Sequence, residues 1–190
     1  NGDPGDQTVI GNSTPRYEYS FRIGLDYKGF DFSVYCQGIG KRKIWGSGQL
    51  AIPGYYAKEG AIPKTFATDY WTESRTDAFY PRAWDLGGND TGFAMQRQSK
   101  YLLNMAYLRV KNISLGYTFP QLWLSKVKLT KARVYMSLEN FITFDNLRGL
   151  PIAPEAISGY SMFSESYNLS RTGTGTPMFK SLSCGLQLSF

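Results

Sequence analysis

The sequence contains no histidine and only two cysteines, Cys36 and Cys184. Without histidine the commonest catalytic base and the commonest zinc ligand are missing. Neither a Ser-His-Asp nor a Cys-His triad can form within these residues. The cysteines fall in separate strand candidates, share no metal-ligand spacing, and are too sparse for a disulfide framework; both are read as small buried hydrophobes. No apolar run approaches the roughly 18 residues that a membrane helix requires, which excludes a helical membrane protein. A membrane β-barrel stays open, because its lipid face is diluted by a polar lumen face. The first residue is Asn1, with no secretory n-region or h-region, so a processed chain or a piece of a longer polypeptide is expected.

Aromatic residues are abundant instead, at 16% of the chain, and there are 20 glycines. That mix favours strands, since aromatic side chains suit a pleated surface. The net charge of +6 is compatible with nucleic acid, phosphate-rich lipid or plain solubility.

Residues 16–28 separate into two classes with a strict period of two. Tyr17, Tyr19, Phe21, Ile23, Leu25 and Tyr27 alternate with Arg16, Glu18, Ser20, Arg22, Gly24, Asp26 and Lys28. Helical spacing would mix charge into the apolar stripe, so the segment is a strand. Lys28-Gly29 makes a tight turn, and a second strand over 30–38 returns with Phe30, Phe32, Val34 and Cys36 on one face. A third strand, 107–119, is out of phase with itself: Leu108 and Val110 are even, whereas Ile113, Leu115 and Tyr117 are odd. A bulge near Lys111-Asn112 reconciles them; the alternative places Arg109 and Lys111 above a membrane on its outer side, and the sequence leaves both open. A fourth strand, 131–143, sets Ala132, Val134, Met136, Leu138 and Ile142 against Arg133, Tyr135, Ser137 and Glu139. The fifth, 179–190, alternates Leu182, Cys184, Leu186, Leu188 and Phe190 with Ser and Gln.

The connections alternate in length. Two residues join the first pair and about a dozen, 120–131, join the third to the fourth, whereas 40–103 and 145–178 are long. Tight inner turns with long external loops are what an outer-membrane barrel shows. On that parity Phe190 reaches the periplasmic rim, where an aromatic belongs to the interfacial girdle. Five strands cannot close a barrel, since the smallest have about eight, so these are expected to be the carboxyl-terminal part of a larger one. The competing architecture is a soluble β-sandwich acting as a glycan-binding module, which uses the same alternation. It would give turns of similar length at both ends.

Several blocks then resemble one family. The segments "VIGNSTPRYEYSFRIGLDYKGFDFSVYCQGIGKR", "YLRVKNISLGYTFP", "RVYMSLENFITF" and "SCGLQLSF" are similar to the late barrel of SusC/RagA TonB-linked outer-membrane transporters, as is "DYWTESRTDAFYPRAW" to a stretch of that family's large external loop. The resemblance implies an all-β fold: a barrel of about 22 strands filled by an amino-terminal plug, of which these residues supply the last five. It implies a location in the outer membrane and import of oligosaccharides or peptides powered by the TonB complex, with a SusD-like surface lipoprotein as lid. It also implies that Phe190 is read by the barrel assembly machinery. The plug, the TonB box and the signal peptide lie outside these residues, so no energy-coupling residue is named.

Candidate site residues follow from chemistry. Tyr70, Trp71, Tyr80 and Trp84 crowd the first long loop, and aromatic faces stack on sugar rings or anchor protein interfaces. They pack loops against one another equally well. "GIGKRK" at 38–43 lacks phosphate-loop spacing; Lys41, Arg42 and Lys43 sit instead where the second strand leaves the outer leaflet, placed to meet lipopolysaccharide phosphates. A solvated rim cluster is the plain alternative, and nucleic acid is not expected as a partner. "NGDPGD" at 1–6 has the Asn/Asp/Gly character of calcium loops but lacks the full ligand series and closing Glu, so it is read as a polar turn and no metal or cofactor is expected. Glu18, Arg22, Asp26, Asp31, Arg133 and Glu139 are read as a wet inner wall. No catalytic residue is expected.

Overall fold

The computed structural model describes residues 8–46, 55–56, 64–82, 84–85, 98–155 and 178–190, with only the backbone at 55–56, 84–85 and 127. The 1–6 segment and much of both long connections therefore lie outside the described residues. The described strands are β1 (Tyr17–Tyr27), β2 (Phe30–Gly40), β3 (Lys43–Ile44), β4 (Tyr55–Tyr56), β5 (Trp84–Asp85), β6 (Leu103–Asn104), β7 (Tyr107–Thr118), β8 (Lys131–Asp145) and β9 (Ser181–Ser189). No described helix is long and apolar enough to cross a membrane.

The chain divides into two compact units. One comprises 17–39, 107–144 and 178–190 and the other 1–16, 40–106 and 145–177. The first is a five-stranded meander in the order β1-β2-β7-β8-β9, so the five expected strands are neighbours in one sheet. Lys28 and Gly29, the residues between β1 and β2, both have positive φ, 46° and 87°. A two-residue hairpin turn of that kind matches the right-handed twist of its strands.

Register explains the untidy phase of β7. Tyr35 lies opposite Asn112 and Cys36 opposite Val110, so Lys111 is the extra residue of a bulge. Below the bulge Phe30, Phe32 and Val34 pair with Tyr117, Leu115 and Ile113; above it Cys36 pairs with Val110 and Gly38 with Leu108. One added residue thus keeps Leu108, Val110, Ile113, Leu115 and Tyr117 of β7 on one face. Across β8 and β9 the face continues as Ala132–Leu188, Val134–Leu186, Met136–Cys184 and Leu138–Leu182. On β1, β8 and β9 most of the side chains on this face are exposed, among them Phe21, Ile23, Leu25, Val134, Met136 and Leu182, with Leu186 at 61%; on β2 and β7 Phe30 and Leu115 are exposed and the rest are half-buried or buried.

The opposite face is polar and knitted together. Arg133 of β8 reaches over β7 to Asp31 of β2, its Nε donating to Oδ2 at 2.8 Å and its Nη2 to Oδ1 at 2.5 Å. It crosses at Gly116, which pairs with Asp31 and where any Cβ would collide with both charged groups. Asn112 donates to Ser137 Oγ at 2.7 Å and Arg109 to Thr143 Oγ1 at 2.9 Å.

The short-connection end of this sheet carries an aromatic cluster that the sequence pattern did not single out. Phe30 meets Tyr117 at 4.5 Å between centroids, Tyr117 meets Phe119 at 5.2 Å, and Phe119 meets Trp123 at 6.3 Å. The connection there is a helical turn, Gln121–Leu124, passing into a 3-10 turn over Ser125–Val127. Phe190 follows β9 directly and is 90% exposed. One expectation fails: Cys36 is buried, but Cys184 is exposed, because β9 turns it onto the uncovered apolar face beside Met136.

Candidate functional site

The second unit has its own core. Ile44, Phe66, Tyr80, Tyr101, Leu103, Met105, Leu147, Leu150 and Ile152 form one buried cluster. The β3–β6 pairing, Ile44 opposite Leu103, ties the two ends of the first long connection together. The chain leaving β8 folds back through a turn in which Arg148 and Gly149 both have positive φ, 55° and 76°. Asp145 Oδ1 accepts the Leu147 N–H at 3.0 Å, and Leu150 N–H bonds the Leu147 carbonyl at 3.1 Å. Satisfying the backbone in this way lets Leu147 and Leu150 point inward while Arg148 stays out.

Around that core lies a cavity of about 500 Å³ lined by Phe79, Tyr80, Lys100, Tyr101, Leu147 and Arg148, among others. Phe79 stands edge-on to both Tyr80 and Tyr101, at 5.0 and 5.6 Å. The Arg148 guanidinium lies 4.0 Å from the Phe79 ring centre, and Lys100 Nζ lies 5.8 Å from Phe79 and 5.3 Å from Tyr101. Two cations over aromatic faces is a cation–π arrangement. Asp69 organises the other side: it accepts the Phe79 N–H at 3.3 Å and lies 3.6 Å from Arg75 and 3.7 Å from Arg148. Tyr80 is only 4% exposed, and its hydroxyl has the Arg148 guanidinium as a hydrogen-bonding neighbour but no partner of well-aligned geometry among the described residues. Burial pushes its phenol above the usual tyrosine range, and the nearby Arg148 charge opposes that rise.

Three of the four aromatic candidates are brought together. Tyr70 and Tyr80 form a parallel bridge, and the Trp71 N–H bonds the Tyr80 carbonyl at 3.0 Å. Their roles differ from a common exposed platform. Tyr80 is core, Tyr70 stacks on Phe66 at 5.3 Å, and Trp71 is half-buried. The Trp84 backbone pairs with Tyr55, and its side chain lies outside the described residues. Phe79, Lys100, Tyr101 and Arg148 were not picked out from sequence; the only local signal is the Arg148-Gly149 turn.

The basic cluster is split. Arg42 is 5% exposed, its Nε donating to the Ser13 carbonyl at 3.0 Å and its own carbonyl accepting the Met105 N–H at 2.9 Å. It is a structural residue there, and not part of an exposed patch. Lys41 and Lys43 border an open hollow with Arg16, which the sequence reading had counted with the first strand. The described residues contain no group of His, Cys, Asp or Glu side chains placed to hold a metal ion.

These features define a β-sheet with an uncovered apolar face, joined through long connections to an aromatic loop unit. Over nearly its whole length the chain is distantly similar to TonB-dependent receptors. It is 27% identical over 190 residues to TonB-dependent receptor P3 of Formosa agariphila, covering 97% of this chain and 17% of that protein. It is 26% identical over 191 residues to TonB-dependent receptor P26 of the same organism, covering 97% of this chain and 18% of the relative. No protein-family model matches. In fold it resembles part of the RagAB peptide importer in its closed-closed state, with a TM-score of 0.67 at 23% identity, and in its open-open state, with a TM-score of 0.62 at 22% identity. In both cases 96% of this chain and 18% of the other are covered. The chain thus spans under a fifth of the length of the proteins it matches.

Proposed function

We propose that these residues form five adjacent strands, the carboxyl-terminal ones, of a transmembrane β-barrel of about 22 strands. The whole would be an outer-membrane importer of oligosaccharides or peptides, powered by TonB and covered by a SusD-like lipoprotein. The observation that carries this reading is the apolar face running from β1 to β9, exposed on β1, on β9 and over much of β8, while the reverse face holds the Asp31–Arg133 pair. So large an uncovered apolar surface is rare on a water-soluble monomer. Facing hydrocarbon it is in its proper solvent, and the charged face then lines a lumen. The aromatic cluster at the short-connection end supports the same reading, since Tyr and Trp concentrate at membrane interfaces. β1 and β9 have open edges among the described residues, which further barrel strands would pair. A soluble sandwich needs a second sheet over the apolar face, and the other described sheets are two-residue pairs.

Within this reading Lys41 and Lys43, together with Arg16, are assigned to outer-leaflet phosphates, and Phe190 to the inner girdle and to recognition by the assembly machinery. Tyr70 and Trp71 are the aromatic residues left for contact with a lid or substrate. Deleting the gene should abolish growth on an oligopeptide or oligosaccharide as sole nutrient, and a surface lipoprotein should co-purify with the intact protein. Unchanged growth on every such nutrient, with no lipoprotein recovered, contradicts the proposal.

A further inference from the structure

We propose that the cavity walled by Phe79, Tyr80 and Tyr101 binds a carboxylate-bearing ligand, with the carboxylate held between Lys100 and Arg148. The idea deepens the import reading by naming a substrate class, and it rests on that reading for its biological meaning. The cavity, at about 500 Å³, falls within the roughly 300–1,000 Å³ range of small-molecule sites. Its walls are largely apolar and aromatic, and its polar side chains are the donors Lys100 and Arg148, the hydroxyls of Tyr80 and Tyr101, and Asn104, Asn146 and Asp145.

Lys100 has no carboxylate partner among the described residues; its contacts there are the faces of Phe79 and Tyr101. Arg148 is stacked on Phe79, and among the described residues its carboxylate neighbour is Asp69, at 3.7 Å. That separation leaves donors of its planar fork open, and a carboxylate is the group the fork matches. The third donor is the buried Tyr80 hydroxyl: its oxygen has the Arg148 guanidinium beside it, which cannot accept, so its proton has no acceptor of good geometry among the described residues. Leaving such a group unpaired is costly, and an incoming oxygen acceptor removes that cost. The carboxylate on the lining, Asp145, is turned to the backbone, its Oδ1 accepting from Leu147 N–H. Two cations and an idle hydroxyl around an aromatic wall suit an anion attached to an apolar or ring-shaped body. A peptide with an acidic residue or free terminus supplies one, and so does a uronic sugar.

The test is calorimetric titration of the full-length protein in detergent with the tripeptide acetyl-Ala-Phe-Glu, its uncharged counterpart acetyl-Ala-Phe-Gln-amide, and a glucuronate disaccharide. Either carboxylate probe is expected to bind about tenfold or more tighter than the uncharged peptide, the order of magnitude of a charge-assisted hydrogen bond. Which of the two binds identifies the source of the carboxylate. Lys100→Gln and Tyr80→Phe should each weaken the carboxylate probe by about five- to tenfold and leave the uncharged peptide unchanged. Lys100 is exposed and Tyr80→Phe keeps the ring, so both variants are expected to fold, as heat-modifiable migration will show. Equal affinity for charged and uncharged probes, no binding of any probe at millimolar concentration, or variants that bind like the parent would each overturn the proposal. Carboxylate preference without any uptake would leave this site standing and remove the import reading; uptake without the preference does the reverse.

Discussion

At the scale of single residues, Gly116 matters through what it lacks. The Arg133 side chain passes over it to reach Asp31, joining three strands across the polar face. A Cβ there would meet carboxylate and guanidinium atoms at once, so accommodating it means moving the ion pair or the backbone. Overpacking of this sort costs about 1–3 kcal/mol. Gly116→Ala should therefore lower the temperature at which the folded, fast-migrating form is lost on gels, and Gly116→Val should lower it further. The basic residues near the end of β2 make a second case. Replacing Lys41 and Lys43 together with Gln should reduce co-purifying lipopolysaccharide without reducing folded protein. Arg42→Ala should instead destabilise the loop unit, because Arg42 is buried and bonded to Ser13. Equal amounts of bound lipopolysaccharide in parent and double variant would remove the lipid assignment.

At the scale of elements, the bulge in β7 is the feature with the sharpest consequence. Deleting Lys111 removes the extra residue and forces Leu108 and Val110 to the polar face, or Arg109 to the apolar one. The folded fraction is expected to fall steeply, whereas Lys111→Ala, which keeps the residue count, should be tolerated. Charge placed on the two faces of β1 should behave unequally as well. Ile23→Lys puts an ammonium on the apolar face, at a cost of about 2–4 kcal/mol near a bilayer midplane, while Ser20→Lys on the other face should leave folding intact. Indistinguishable folded amounts for these two variants would contradict the assignment of faces.

The same elements show how far the sequence could be read. A period of two over β1, β2, β8 and β9 is a local property, so those strands and their pairing faces were visible in the order of residues. The phase jump in β7 announced a bulge near its true place, but choosing it over a change of environment needed the β2 register. The burial of Arg42 was invisible because its partner, Ser13, is distant in sequence. The carboxylate cavity was invisible for the same reason: Phe79, Lys100 and Arg148 meet only once the loops have folded, and cation–π geometry leaves no spacing in a sequence. Tyr80, expected at a lid or substrate contact with loop packing as the alternative, lies in the buried cluster of the loop unit. Cys184 went the other way, since burial in a barrel strand depends on what solvent the outer face meets.

At the scale of the whole molecule, a transmembrane barrel requires the apolar face to meet lipid. The direct measurement is spin-label accessibility in the full-length protein reconstituted in bilayers, with labels placed in turn at Ile23, Phe32, Leu115, Val134 and Leu186 and at Arg22, Ser33, Ser114 and Gln187. The first group should relax faster with oxygen, which concentrates in hydrocarbon, and the second with a water-soluble nickel chelate, alternating residue by residue along each strand. A face closed to both reagents would mean that protein covers it, as in a soluble sandwich, and a face open to the nickel chelate would mean water. Either result would contradict the barrel.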